Sequence, residues 1–137
     1  MKRIVIGYDA TPEAERALER AGELARAFAA EVIVTSIAPM LTAAGRSVGP
    51  YDPTDPPSAH RAQLELAHAT LERFGVDAEV VPGLGTAAPA IVELAEEREA
   101  DLIVVGGRHL NALERLLGGS VSDGVAHRAG CDVLIVH

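Results

Sequence analysis

The sequence predicts an α/β fold: a doubly wound, five-stranded parallel sheet of strand order 3-2-1-4-5, covered by helices on both faces. Two observations carry this prediction. Five short runs rich in Val and Ile recur at residues 3–8, 31–37, 77–81, 101–105 and 132–136, and the stretches between them place apolar residues at helical spacing. Strands that are apolar throughout and alternate with helices bury both faces of a parallel sheet, because right-handed crossovers carry the helices to either side.

The elements follow in order. The first run follows Met1-Lys2, and Asp9 interrupts it before the apolar core of a signal peptide can form, so it reads as a strand. Thr11 as N-cap and Pro12 in the first turn then open a helix whose Ala14, Ala17, Leu18, Ala21, Leu24, Ala25 and Phe28 share one face. After the second run, residues 38–58 hold Pro39, Pro50, Pro53, Pro56 and Pro57 with Gly45 and Gly49. So long an irregular segment inside a small domain is usually a functional or mobile loop. Leu64, Ala67, Leu71 and Phe74 mark a second helix, Ile91, Leu94 and Ala95 a third behind Thr86 as cap, and Val121, Val125 and Ala129 a fourth. Gly75 and Gly130 stand where helix C-caps belong. Gly83-Leu84-Gly85 lacks the third glycine of a dinucleotide fingerprint and reads as a turn.

Composition narrows the function. A chain of 137 residues is the size of one domain, residues 1–137, able to bury a core without metals or disulfides. Apolar residues make up 48% but lie in runs of a few, too short to span a membrane. The lone Cys131 has no internal disulfide partner and no zinc-ligand spacing, which points to a reducing compartment, by default the cytoplasm. A net charge of −8 and 3% aromatic residues argue against nucleic acid and anionic membrane as partners.

In an open parallel sheet, ligands bind beyond the carboxyl ends of the strands where strand order reverses. Strands one and four flank that point, so Asp9-Ala10-Thr11-Pro12 and Gly106-Gly107-Arg108-His109 face one crevice. The second loop runs on to Gly118-Gly119-Ser120-Val121-Ser122-Asp123, where the last helix begins. Glycines let backbone approach phosphate oxygens, and a helix start offers unpaired N–H groups and a favourable dipole. Ser120 and Ser122 add hydroxyls, although Ser120 with Asp123 also forms a capping-box pattern in which the hydroxyl serves the helix itself. Arg108 and Arg115 read equally as phosphate clamps or as solvated surface charges. His60 and His68, eight apart on the second helix and without a third ligand, read as surface residues, and His127 as an ordinary helix residue. With Asp9 the one acid placed in the crevice, no Ser/His/Asp triad or carboxylate pair emerges.

The spacing of Gly106, His109, Gly119 and Ser120 resembles the G-x-x-G-(nine residues)-G-[S/T] signature of the universal stress protein family, with His109 in the place of its second glycine. The resemblance extends to Lys2-Arg3-Ile4-Val5-Ile6-Gly7-Tyr8-Asp9, to Gly85-Thr86 with Ile91-Val92-Glu93-Leu94-Ala95, to residues 100–106, and to the ending 131–136. It implies an adenine nucleotide alpha hydrolase-like sheet and ATP, with or without Mg, in the crevice. It further implies that Asp9 lies near ribose or adenine, that Ile37 touches adenine through its backbone, and that Gly106, His109, Gly119, Ser120, Val121 and Ser122 surround the phosphates. A histidine in a left-handed position costs roughly 1 kcal/mol, and when protonated it donates to phosphate. The last strand, at the sheet edge, invites pairing with a second copy, and the resemblance implies a homodimer through it. The expected role is a dimeric, nucleotide-dependent regulatory switch; a family member that binds no nucleotide and a slow ATP hydrolase stand as alternatives.

Overall fold

A computed structural model describes residues 1–43, 46–47, 49–107 and 120–137. In chain order the elements are β1 (Arg3–Gly7), α1 (Pro12–Phe28), β2 (Glu31–Ala38), β3 (Thr42–Ala43), β4 (Arg46–Ser47), α2 (Pro57–Arg73), β5 (Ala78–Leu84), α3 (Ala87–Glu97), β6 (Leu102–Gly106), α4 (Val121–Arg128) and β7 (Asp132–Val136). Five strands form one sheet in the order β5-β2-β1-β6-β7, with every neighbouring pair parallel. Leaving out the small hairpin β3–β4, this is the predicted order 3-2-1-4-5. The hairpin itself, antiparallel and two residues a side, falls in the segment expected to be irregular, and α2 begins inside that segment at Pro57.

Alternation along the strands divides the core into two layers. Ile4 and Ile6 of β1 face α1 and α2 with Leu18, Val34, Leu64, Leu71 and Val104, whereas Val5 faces α3 and α4 with Ile33, Ile91, Ile103, Val105 and Val125. Each of the three central strands therefore buries residues of both parities, which is why their sequences are apolar throughout.

The helix ends are locally encoded. The Thr11 hydroxyl accepts from the N–H of Ala14 at 3.2 Å, Pro12 follows, and Glu13 and Glu15 complement the dipole of the first turn. Gly75 has φ +75°, the left-handed value that closes α2. Gly130 does not play that part for α4: the chain leaves from Ala129 in an extended conformation, leading directly into β7. Phe74 is likewise the C-cap of α2 rather than a residue inside it.

Candidate functional site

One crevice opens at the carboxyl ends of the central strands. Its walls come from Gly7 of β1 and the following Tyr8 and Asp9, from Thr35, Ser36 and Ile37 of β2, from Val105 and Gly106 of β6, from Ala87 and Ile91 of α3, from Val121 at the start of α4, and from His60 of α2. β1 lies between β2 and β6, so this is the point at which the winding of the sheet reverses.

Asp9 is presented by a tight turn. Its Oδ1 accepts from the backbone N–H of Thr11 at 3.1 Å and from the Thr11 hydroxyl at 2.6 Å, while that hydroxyl in turn caps α1. Ala10 between them has φ +61°, a left-handed conformation that costs a non-glycine residue about 1 kcal/mol. This strained residue stands between Asp9 and Thr11, whose two hydrogen bonds close the turn over it. Beside it, the buried Tyr8 hydroxyl donates to Glu15. Burial first, then the hydrogen bond to Glu15, pushes the phenol far above its ordinary value, so it stays a neutral donor.

At the other side of the crevice α4 begins. Ser120 is its N-cap: the hydroxyl accepts from the Asp123 N–H at 3.1 Å and lies 2.9 Å from the hydroxyl of the buried Ser122. The helix-capping role foreseen for Ser120 is therefore real, and the pair of hydroxyls flanks the first N–H groups of the helix, which lack intrahelical partners. Gly106 has a packing role the sequence did not disclose. A Cβ placed on it would lie 2.7 Å from Ala14 N and from Glu13 C, so the first turn of α1 already demands a glycine there. Of the predicted site residues, Asp9, Ile37, Gly106 and Val121 line one crevice, and Ser120 and Ser122 stand at its α4 border. His109 and Gly119 lie outside the described residues, as do Arg108, Arg115 and Gly118.

His60 departs from expectation. It is 7% exposed and not a surface residue. Its Nδ1 lies 2.6 Å from the Ser36 hydroxyl and its Nε2 2.7 Å from Asp55 Oδ1, so a Ser/His/Asp chain exists where the sequence suggested none. A signal was present: positions 60, 64, 67 and 71 form one helical stripe, and the other three are apolar core residues. His68 is half-buried between Glu72 and Asp77, and His127 bonds back to the Asp123 carbonyl as an ordinary helix residue. Among the described residues, no group of three His, Cys, Asp or Glu is placed to hold a metal ion, and no helix is long and apolar enough to cross a membrane.

The model of the Universal stress protein family matches residues 1–137. This chain belongs to the universal stress protein family. Universal stress protein Rv1636 of Mycobacterium tuberculosis (strain ATCC 25618 / H37Rv) is 34% identical over 140 residues, covering 99% of this chain and 96% of its own. Among solved structures, a universal stress protein in complex with cAMP superposes with a TM-score of 0.80 at 33% identity, covering 99% of this chain and 97% of that one. The universal stress protein from Archaeoglobus fulgidus in complex with dAMP gives 0.71 at 25% identity, covering 100% and 98%. The sheet order and its helices are those of the adenine nucleotide alpha hydrolase-like fold that these family members share.

Proposed function

We propose that this universal stress protein binds an adenine nucleotide, ATP with or without Mg, in the crevice at the carboxyl ends of β1, β2 and β6, and acts as a dimeric, nucleotide-dependent regulatory switch in the cytoplasm. The observation that carries the reading is the convergence of Asp9, Ile37, Gly106 and Val121 on that one crevice, with Ser120 and Ser122 at its border. Ile37, Ile91, Val105 and Val121 offer an apolar slot suited to a base, and Asp9 an acceptor for ribose hydroxyls. The start of α4 suits phosphate, since its N–H groups and dipole favour an anion. Such local donors matter because the chain carries −8 overall and its average field repels a nucleotide. Structural relatives solved with cAMP and dAMP support the same class of ligand. In this reading His109 and Gly119 also serve the phosphates, and His109→Gly, which restores the signature glycine, tightens binding. The edge strand β7 supports a two-fold dimer in which two such edges pair antiparallel.

The test is mass spectrometry of the purified, denatured protein for retained nucleotide, with sedimentation velocity for assembly. A retained adenine nucleotide and a dimer are expected. Protein that comes without nucleotide and takes up none at millimolar ATP, while remaining dimeric, is instead an interaction module of the same family.

A further inference from the structure

The chain of hydrogen bonds from Asp55 through His60 to Ser36 is not used by the reading above, yet His60 and Ser36 both line the crevice. Its proton arrangement follows from chemistry. An ionised carboxylate only accepts, so Asp55 takes the proton on His60 Nε2. With a single proton on the ring, Nδ1 keeps a lone pair into which the Ser36 hydroxyl donates. The structure sets Gln63 Oε1 3.1 Å from the same hydroxyl; with the Ser36 proton committed to Nδ1, the relay requires the Gln63 amide turned so that its N–H donates to Ser36.

Three elements are joined in this way. Ser36 sits in β2 one residue before Ile37, and His60 is on the first turn of α2. Asp55 belongs to the connection between them, where the Asp55 N–H donates to the Asp52 carbonyl and Asp52 Oδ1 accepts from Thr54 N–H and hydroxyl. The Asp52 N–H reaches back to the Pro39 carbonyl at 2.9 Å, so the relay and this bond fasten both ends of the connection to the strand that ends in the crevice. Asp55 is 47% exposed on its side chain, whereas Ser36 is 1% exposed as a residue: the relay runs from solvent to the crevice wall.

We propose that His60 is a positioning residue of the crevice, which through Ser36 and Asp55 fixes the carboxyl end of β2 and the turn at residues 52–55 in the arrangement that receives the ligand. The inference rests on the adenine-nucleotide reading, in which the Ile37 backbone meets the base. Nucleophilic catalysis by Ser36 fits the same atoms less well. A nucleophile has to face open space, and this hydroxyl is buried in a regular strand opposite Pro82 and held by two partners.

The test compares wild type, His60→Ala, Asp55→Ala and Asp55→Asn. In nucleotide-free protein, 15N spectra of the imidazole are expected to show the Nε2–H tautomer, and exchange of the Asp52, Thr54 and Asp55 amides is expected to quicken in both alanine variants (for Asp55→Ala, at the substituted residue). In calorimetric titrations with ATP and with AMP, the alanine variants bind about tenfold more weakly, the effect of losing one charge-assisted hydrogen bond. Asp55→Asn, whose side-chain carbonyl still accepts from Nε2–H, stays within about threefold of wild type. Asp55→Ala guards against a folding failure of His60→Ala, since its side chain is half-exposed. Normal wild-type binding with unchanged affinity in Asp55→Ala overturns the relay alone, as does an Nδ1–H tautomer. Wild type that binds neither nucleotide overturns the crevice reading and the affinity claim together. Labelling of Ser36 by a fluorophosphonate assigns it to nucleophilic chemistry and overturns the positioning role.

Discussion

Replacing Gly106 with alanine tests whether that glycine serves the fold or only a ligand. The added Cβ meets backbone, Ala14 N and Glu13 C at 2.7 Å and Glu13 O at 2.9 Å, and a helix turn cannot rotate out of the way as a side chain can. Overpacking of this kind costs about 1–3 kcal/mol, and rigid neighbours place Gly106→Ala in the upper half of that range. The stiffer unfolded chain returns about 0.4–1 kcal/mol, for a net loss of roughly 2 kcal/mol. Gly7→Ala is the matched control. Its Cβ meets Ile91 Cδ1 at 2.6 Å, the far end of a flexible side chain in the same crevice, and the expected loss is below about 1 kcal/mol. At roughly 4 °C per kcal/mol for a chain of this size, Gly106→Ala melts roughly 8 °C below wild type. Urea unfolding followed by circular dichroism, without nucleotide, measures both variants. A Gly106→Ala protein as stable as wild type would falsify the packing argument and leave close approach of phosphate as the reason for the glycine.

Three further outcomes are expected. Thr11→Ala removes the cap of α1 and one restraint on Asp9, lowering stability by about 1 kcal/mol in the same urea assay; no change would mean that the cap is replaced by water. Asp101 Oδ2 accepts from the backbone N–H groups of Lys2 and Arg3 at 2.6 and 2.8 Å, and these bonds hold its carboxyl below its ordinary range. A folded-state value lower than the unfolded one stabilises above the unfolded value and fades as pH falls through the folded one. The gap in urea midpoint between wild type and Asp101→Asn should therefore be fullest at neutral pH and close as pH drops below about 3.9; a gap independent of pH would contradict it. Burial first, and then Asp132, raise the Cys131 thiol above its ordinary value, so alkylation by iodoacetamide at pH 8 should run slower than that of a free thiol.

Much of the fold was legible because its determinants are local. The apolar runs that became β1, β2, β6 and β7, the Thr11-Pro12 start of α1 and the left-handed Gly75 are each set by neighbours within a turn or by burial on both faces of a parallel sheet. What escaped depends on contacts distant in sequence. β5 runs on to Leu84, past Pro82 and Gly83, because β2 extends beside it and pairs Ala38 with Leu84. The hairpin β3–β4 has two residues a side, too few for any period to appear. For the site, the crevice and the place of Asp9 at its mouth followed from topology, since the strand ends around the switch point are fixed once the order is known, whereas Ile37 and Val121 were reached only through the family resemblance. The packing duty of Gly106 was invisible, because nothing in residues 106–122 reveals that α1 crosses there. His60 was misread for a similar reason: its partner Ser36 lies 24 residues away, and only the stripe it shares with Leu64, Ala67 and Leu71 marked it as inward-facing.

The central claim is that Asp9, β2 and the start of α4 bound a nucleotide site. Isothermal titration of the nucleotide-stripped protein with ATP, with and without Mg, measures this most directly when run beside Asp9→Ala. Saturable binding at one site per chain is predicted, weakened about tenfold by loss of the Asp9 acceptor. Absence of binding up to millimolar ATP, or equal affinity in Asp9→Ala, contradicts it.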